Sequence, residues 1–297
     1  MKKTLTICIP TYKRLKYMND LLNSIPSDLP VIISDNGNYI QNEFDNFNNV
    51  SVIHTNTIIP VFENWNNAIN EVKTEWFIIP GDDDVFFKDK LANIAEYLNK
   101  YKDMGMIIFG HKIIDENNQI SKGWTPKEES VYQPPIGFSS FITGVPARVP
   151  SIIFNTRKFL SCGSFDQRFT VTAADSFLIQ KLALKYPYAL IPIELSSYRV
   201  WTTNFTSTKI STPEWLNEIK LWQSSLRPLI EEENGTLKIN IKKMQDKVLF
   251  DNELFAIQTM KKNQVPSMQR FNLIKKIGWP RYISLKNHLQ LIKNIIS

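Results

Sequence analysis

Short apolar runs alternate with helix-patterned stretches from Leu5 to Phe109. A run that is apolar throughout has to be buried on both faces. A stretch with apolar residues every three or four positions has to lie on something. Together they describe a sheet covered by helices, an α/β architecture with parallel strands. Leu5–Ile9, Val31–Ser34, Val50–His54, Trp76–Ile79 and Met106–Phe109 are the expected strands, and Lys13–Ser24, Val61–Val72 and Lys88–Lys100 the expected helices between them. Asp115–Pro150 has no clear period and reads as a long loop of the kind that carries function. Ser151–Phe154, Tyr188–Pro192 and Ser196–Val200 continue the sheet, with a helix over Ala173–Lys185. From Pro213 the pattern is wholly helical, with breaks expected near Glu233-Asn234-Gly235, Val265-Pro266 and Gly278-Trp279-Pro280. The expected division is an α/β unit over 1–212 and a helical extension over 213–297.

Three consecutive aspartates, Asp82-Asp83-Asp84, follow the strand Trp76–Ile79 after Pro80-Gly81. Ligands of open α/β sheets bind beyond the carboxyl ends of the strands, where this triplet falls. Adjacent carboxylates repel, and a buried unpaired charge is costly. A divalent cation relieves both, and Asp82 and Asp84, two residues apart, can face one ion. Hard oxygen ligands select Mg²⁺ or Mn²⁺, which bridges to a diphosphate. The competing reading is a solvated acidic turn before the helix at Lys88.

The 297 residues are 43% hydrophobic, enough for a large core, and contain two cysteines, Cys8 and Cys162, outside any metal-ligand spacing. That usage favours a reducing, cytoplasmic setting. The opening Met1-Lys2-Lys3 and Thr4–Ile9 is too short for a signal sequence before Pro10, and no run reaches the roughly eighteen apolar residues of a membrane span. The net charge of +6 is uneven: Leu237–Ser297 holds twelve Lys/Arg against three acids. The rest of the chain is slightly acidic, which argues against nucleic acid as a partner.

The ordered motifs resemble family 2 of the inverting glycosyltransferases, which have the glycosyltransferase A fold: a Rossmann-like mixed sheet flanked by helices, here with a helical C-terminal extension. Ile7-Cys8-Ile9-Pro10-Thr11-Tyr12-Lys13-Arg14 matches the family's first strand and its "PTYNR" turn. Ile33-Ser34-Asp35-Asn36-Gly37 matches the acidic end of the second strand. Phe62-Glu63-Asn64-Trp65-Asn66-Asn67-Ala68 matches the "NWN" helix, and Gly81-Asp82-Asp83-Asp84 supplies the DXD motif. Members that build O-antigen and capsule, abequosyltransferase-like ones included, are similar in the "GDDD" form. The resemblance implies a nucleotide-sugar donor, such as a UDP-sugar, held by Pro10, Thr11, Tyr12, Arg14, Asp35, Asn64, Asn66, Asp82 and Asp83, with Mn²⁺ or Mg²⁺ on Asp82 and Asp84.

Gly163-Ser164-Phe165-Asp166-Gln167-Arg168-Phe169 and Ala173-Ala174-Asp175 resemble the family segment whose last aspartate opens a helix and acts as base, a role carried here to Asp175. Ser197-Tyr198-Arg199-Val200-Trp201-Thr202-Thr203-Asn204 resembles the "Y-R-x-H" ending, but Trp201 stands where many members have a histidine near the metal. Arg148, Arg199 and Trp201 are candidates for phosphate or acceptor contacts; for Arg199 a structural ion pair and for Arg148 a solvated loop arginine are the alternatives. His54, His111 and His288 match no role. The basic, aromatic tail from Lys275 to Lys293 suits an anionic membrane surface, and the resemblance implies a lipid-linked saccharide acceptor at the inner membrane face. The same tail could instead pack on the catalytic unit. A nucleotidyltransferase and a catalytically degenerate binding protein are the other readings; the first lacks a Gly-rich phosphate loop after the first strand.

Overall fold

The computed structural model describes residues 4–201, 208–279 and 284–296. The readings at Met1–Lys3, Thr202–Asn204 and Pro280 lie outside the described residues. Among the described residues ten strands make one mixed sheet. β1 (Leu5–Thr11), β2 (Val31–Asp35), β3 (Val50–His54) and β4 (Trp76–Ile78) are parallel, in the order β3-β2-β1-β4. The two-residue β5 (Val85–Phe86) and the long β6 (Met106–Ile114) come next in the chain, then β7 (Ile120–Trp124) and β8 (Ser130–Tyr132). β9 (Ile152–Asn155) runs antiparallel between β4 and β6, and β10 (Tyr188–Arg199) lies parallel to β6 with β5 antiparallel on its outer side. The sheet is therefore mixed, not purely parallel.

Alternate residues of each strand enter different cores, as the period of two requires. Ile7, Ile9, Ile33, Ile78 and Ile107 face one core with α1 (Met18–Asn23), α3 (Lys88–Ala92) and α4 (Ile94–Lys100). Cys8, Ile32, Phe77 and Ile108 face the other, with α2 (Val61–Asn70), α5 (Thr156–Ser161) and α6 (Ala174–Lys185). The C-terminal helices α7 (Pro213–Leu237), α8 (Ile241–Lys262), α9 (Ser267–Ile277) and α10 (Leu285–Ile296) join this second core through Trp215, Trp222, Ile257, Ile274 and Leu291. Trp222 Nε1 donates to Gln180 Oε1 at 2.7 Å, tying α7 to α6.

Several elements differ from expectation for identifiable reasons. Lys13 has φ +58°, so the first helix begins at Met18 rather than Lys13. The helix expected over Lys88–Lys100 is divided at Asn93, whose amide donates to Asp89 O at 2.8 Å. Asp115–Pro150 is not a plain loop: it holds β7, β8 and a 3₁₀ turn over Ile136–Phe141. The two last strands are one, β10, because register shifts around Glu194 absorb Pro192, which has no N–H for the ladder. No break occurs at Glu233-Asn234-Gly235; α7 runs on to Leu237, where Lys238 turns left-handed at φ +53° and Asn234 Oδ1 accepts from Ile239 N at 2.8 Å.

Candidate active site

β1, β2 and β4 are parallel and in register, so their carboxyl ends open on one edge. Thr11 and Asp35 are paired there, and the Gly81–Asp84 turn leaves β4 beside them. All three aspartates of the turn are buried. Thr11 Oγ1 donates to Asp82 Oδ2 at 2.7 Å, and the Arg14 guanidinium closes over the same carboxylate, with Nε 3.2 Å from Oδ2 and Nη2 2.5 Å from Oδ1. The Asp82 side chain has no exposure while that of Arg14 keeps 38%, so the arginine is the lid of the carboxylate. Burial pushes the Asp82 carboxyl up to about 7, against the pull of Arg14.

Asp84 closes the turn from within. Its Oδ2 accepts from Gly81 N at 2.7 Å and its Oδ1 from Arg199 N at 3.0 Å. Burial, then the charge of Asp83, raises its carboxyl well above the ordinary range. Gly81 is required by this geometry: a Cβ there would lie 2.8 Å from Asp83 Oδ1 and 3.1 Å from Asp84 Oδ2. Gly81→Ala is expected to lower stability by about 1–3 kcal/mol through overpacking, with weaker donor binding. Thermal unfolding and a nucleotide titration check this; wild-type values in both would mean the turn tolerates the methyl group.

Trp201 Nε1 donates to Asp83 Oδ2 at 2.8 Å, and its ring meets Tyr17 edge-on at 5.9 Å. An indole N–H offers no lone pair to a metal, so this residue acts on Asp83 as a hydrogen-bond donor alone. Arg199 is almost wholly buried. Its Nε donates to Asp83 O at 2.6 Å, its Nη1 to Asp115 O and Asn118 Oδ1 at 2.7 Å each, and the guanidinium lies 4.0 Å from the Tyr17 ring centroid. These contacts make Arg199 a brace behind the acidic turn, where the sequence had offered phosphate contact or an ion pair.

On the nucleotide side Asp35 is wholly buried. Its Oδ2 accepts from Ile40 N at 2.7 Å and stands 3.1 Å from His54 Nδ1, while its Oδ1 has no hydrogen-bond partner. An orphaned buried carboxylate oxygen is an acceptor awaiting a donor. Tyr12 and Tyr39 pack edge to face at 5.8 Å, with Lys13 Nζ 4.5 Å from the Tyr39 ring centroid. Pro10 is a buried residue of β1 opposite Ser34. Asn64 accepts from Ser34 Oγ at 2.7 Å and donates to Ser34 O at 3.1 Å. Asn66 pairs twice with the Phe165 backbone, at 2.8 and 3.0 Å. The two asparagines thus hold the strand ends and the Phe165 segment by their own amides.

Asp175 lies in the first turn of α6 after Ala173, whose φ is +64°, and its Oδ1 accepts from Ser176 N at 2.7 Å. Burial raises its carboxyl above the ordinary range, and the positive charge of Arg148 acts the other way. Arg148 is exposed and stacks over the Tyr198 ring at 5.0 Å. His111, buried with an unpartnered Nδ1, is pushed down to about 4 by burial and by the same arginine. Arg148 therefore links the base candidate to the strand that carries Arg199.

Among the described residues no three His, Cys, Asp or Glu side chains converge as a ready metal cage. The triplet nevertheless fits a divalent cation by charge: of three consecutive buried carboxylates, two pair with the Arg14 guanidinium, Asp84 meets backbone N–H groups, and Asp82 Oδ1 accepts no well-formed hydrogen bond. The sequence offered no sign of Tyr17, Tyr39, His54 or Asn118 in this site, since each meets its partner only through strand register or loop closure.

The chain is similar to several known proteins. The abequosyltransferase RfbV of Salmonella typhimurium is 29% identical over 113 residues, a stretch that spans 34% of this chain and 34% of RfbV. Among solved structures, S. aureus TarS 1-349 in complex with UDP-GlcNAc superposes with a TM-score of 0.61 at 16% identity, over 98% of this chain and 89% of that one. A longer S. aureus TarS chain gives 0.58 at 15%, over 98% and 55%. At such identity these structures establish a shared glycosyltransferase A fold. Residues 6–163, more than half of the chain, match the family described as "Glycosyl transferase family 2", and the chain belongs to that family.

Proposed function

We propose that this enzyme moves one sugar from a nucleotide-sugar donor to a saccharide acceptor, with inversion at the anomeric carbon, in the synthesis of a surface polysaccharide such as O-antigen or capsule. The observation that carries the reading is the buried acidic turn at the carboxyl ends of parallel strands, beside the orphaned oxygen of Asp35. In this reading Asp35 takes a hydrogen bond from the base or ribose, Tyr12 offers its ring to the base, and Thr11, Arg14 and Asp83 border the diphosphate. Asp82 and Asp84 would hold Mg²⁺ or Mn²⁺, which when bound offsets the charge of the departing diphosphate. Asp175 removes the acceptor hydroxyl's proton, and Arg148 orients an acceptor phosphate or hydroxyl beside it. The names of the relatives support this: TarS has been solved with UDP-GlcNAc, and RfbV is an abequosyltransferase. Incubating the protein with nucleotide sugars, with and without Mn²⁺, and following nucleotide release is the test; no release from any donor would sink the reading. Trp201, which donates to Asp83 where a histidine would ligate metal, favours a degenerate binding protein as the second reading. The same assay decides between them.

Residues 1–212 form the catalytic unit in this proposal and 213–297 an extension that shares its core. We place the enzyme at the cytoplasmic membrane face, on a lipid-linked acceptor, through the outer side of that extension. No described helix is long and apolar enough to cross a membrane. In α10, Leu291 and Ile295 are buried, whereas Leu285, Leu289 and Ile296 are 77%, 60% and 71% exposed and fall on one stripe with Ile292. Lys286 and Lys293 flank the stripe, and Lys275 and Lys276 end α9 nearby in the chain. An apolar stripe edged by cations suits an anionic bilayer surface. Replacing Leu289 and Ile292 together by Glu should abolish co-sedimentation with phosphatidylglycerol vesicles and leave donor hydrolysis in solution intact. Undiminished vesicle binding would remove the stripe from this role.

A further inference from the structure

We propose that Glu218, on the C-terminal helix α7, is a positioning residue for the general base, so that the extension completes the active site. The inference rests on Asp175 as the base. Glu218 is buried, and its carboxylate gathers the loop that precedes α6. Oε1 accepts from Thr170 N and Thr170 Oγ1 at 2.7 Å each and from Val171 N at 3.1 Å; Oε2 accepts from Val171 N at 2.9 Å and Thr172 N at 2.7 Å. Three consecutive backbone amides of a segment without regular structure thus end on one carboxylate.

Consecutive N–H groups outside helix and sheet need acceptors, and a charged one is the strongest. The next residue, Ala173, adopts a left-handed φ of +64° that an alanine takes only when its surroundings impose it, and Asp175 follows two residues on. Two further contacts run from the same helix: Arg168 Nη2 donates to Ser225 Oγ at 3.2 Å, and Trp222 Nε1 to Gln180 Oε1 at 2.7 Å. The stretch that presents Asp175 is therefore fastened to α7 on both sides. Nothing in the extension needs to touch donor or acceptor for it to set where the base points.

Glu218→Gln keeps shape and size but turns one acceptor oxygen into an NH₂ that faces amide donors. The expected result is a fall in kcat of about tenfold or more, the factor that corresponds to ~1.4 kcal/mol, with donor affinity unchanged. In an Asp175→Asn background the same substitution should add no further loss in single-turnover transfer, because the group being positioned is already gone. Thr170→Val, which deletes one donor from an exposed residue, should lower kcat in the same direction by less and decides the matter if Glu218→Gln does not fold. An equal fall in both backgrounds, a change confined to donor KM, or an unaltered kcat would each overturn the proposal. If Asp175→Asn itself turns over normally, the base assignment fails and takes this inference with it; if Asp175→Asn is crippled and Glu218→Gln is normal, this inference alone fails.

Discussion

Asp84→Ala is expected to abolish metal-dependent donor binding: at least about a hundredfold loss of nucleoside diphosphate affinity in the presence of Mn²⁺, or ~2.7 kcal/mol. Two physical effects add. The substitution removes one of the two carboxylates proposed to hold the ion, and it leaves Gly81 N and Arg199 N, which end on Asp84 at 2.7 and 3.0 Å, without acceptors. Each buried N–H stranded in this way costs roughly 1–3 kcal/mol, so a lower unfolding temperature accompanies the loss. Asp84→Asn separates the two. Its amide oxygen still accepts one of these bonds and much of the turn survives, yet the charge on the ion is gone. Calorimetric titration with a nucleoside diphosphate, with and without Mn²⁺, should find both variants blind to the metal while wild type responds to it. Affinity for metal and nucleotide equal to wild type in the asparagine variant would remove Asp84 from the ion.

β1, β2 and β4 were legible because their runs are buried on both faces, and such a run carries its own signature. The acidic turn was legible for the opposite reason: three carboxylates after such a run have few stable environments. Their partners were not. Arg199 meets Asp83 and Asp84 across more than a hundred residues, and Asn66 meets Phe165 across ninety-nine; no local pattern encodes such closures. His54 reaches Asp35 because β2 and β3 pair those two positions directly, which the sequence would yield only with the strands already aligned. β7 escaped because its residues are exposed or half-buried, so no apolar alternation marks it. For the basic tail, the sequence left open whether it packs or stays free. Both occur on one helix: Leu291 and Ile295 enter the core and Leu285 and Leu289 do not.

Asp175→Asn should leave donor affinity intact and lower turnover at least about a hundredfold, within the range that general-base catalysis supplies. Asparagine matches the carboxylate in shape, and its amide oxygen can still accept from Ser176 N as Asp175 Oδ1 does at 2.7 Å, so the helix start is preserved. What disappears is a site for the acceptor's proton. The pH profile gives the second readout. Only the ionised carboxylate is a base, and burial raises the pKa of Asp175 above that of an ordinary aspartate. Wild-type kcat should therefore fall as pH drops through a midpoint above the ordinary carboxylate range, losing its base form sooner than an exposed aspartate would. In the asparagine variant that acid limb should vanish, leaving a low rate that is flat over the same interval. Arg148 provides the internal control, since its charge opposes the effect of burial on Asp175. Arg148→Met should move the acid limb further upward in pH while donor binding stays as it was. A near-normal rate in Asp175→Asn, or an acid limb that persists unchanged in it, would place the base elsewhere.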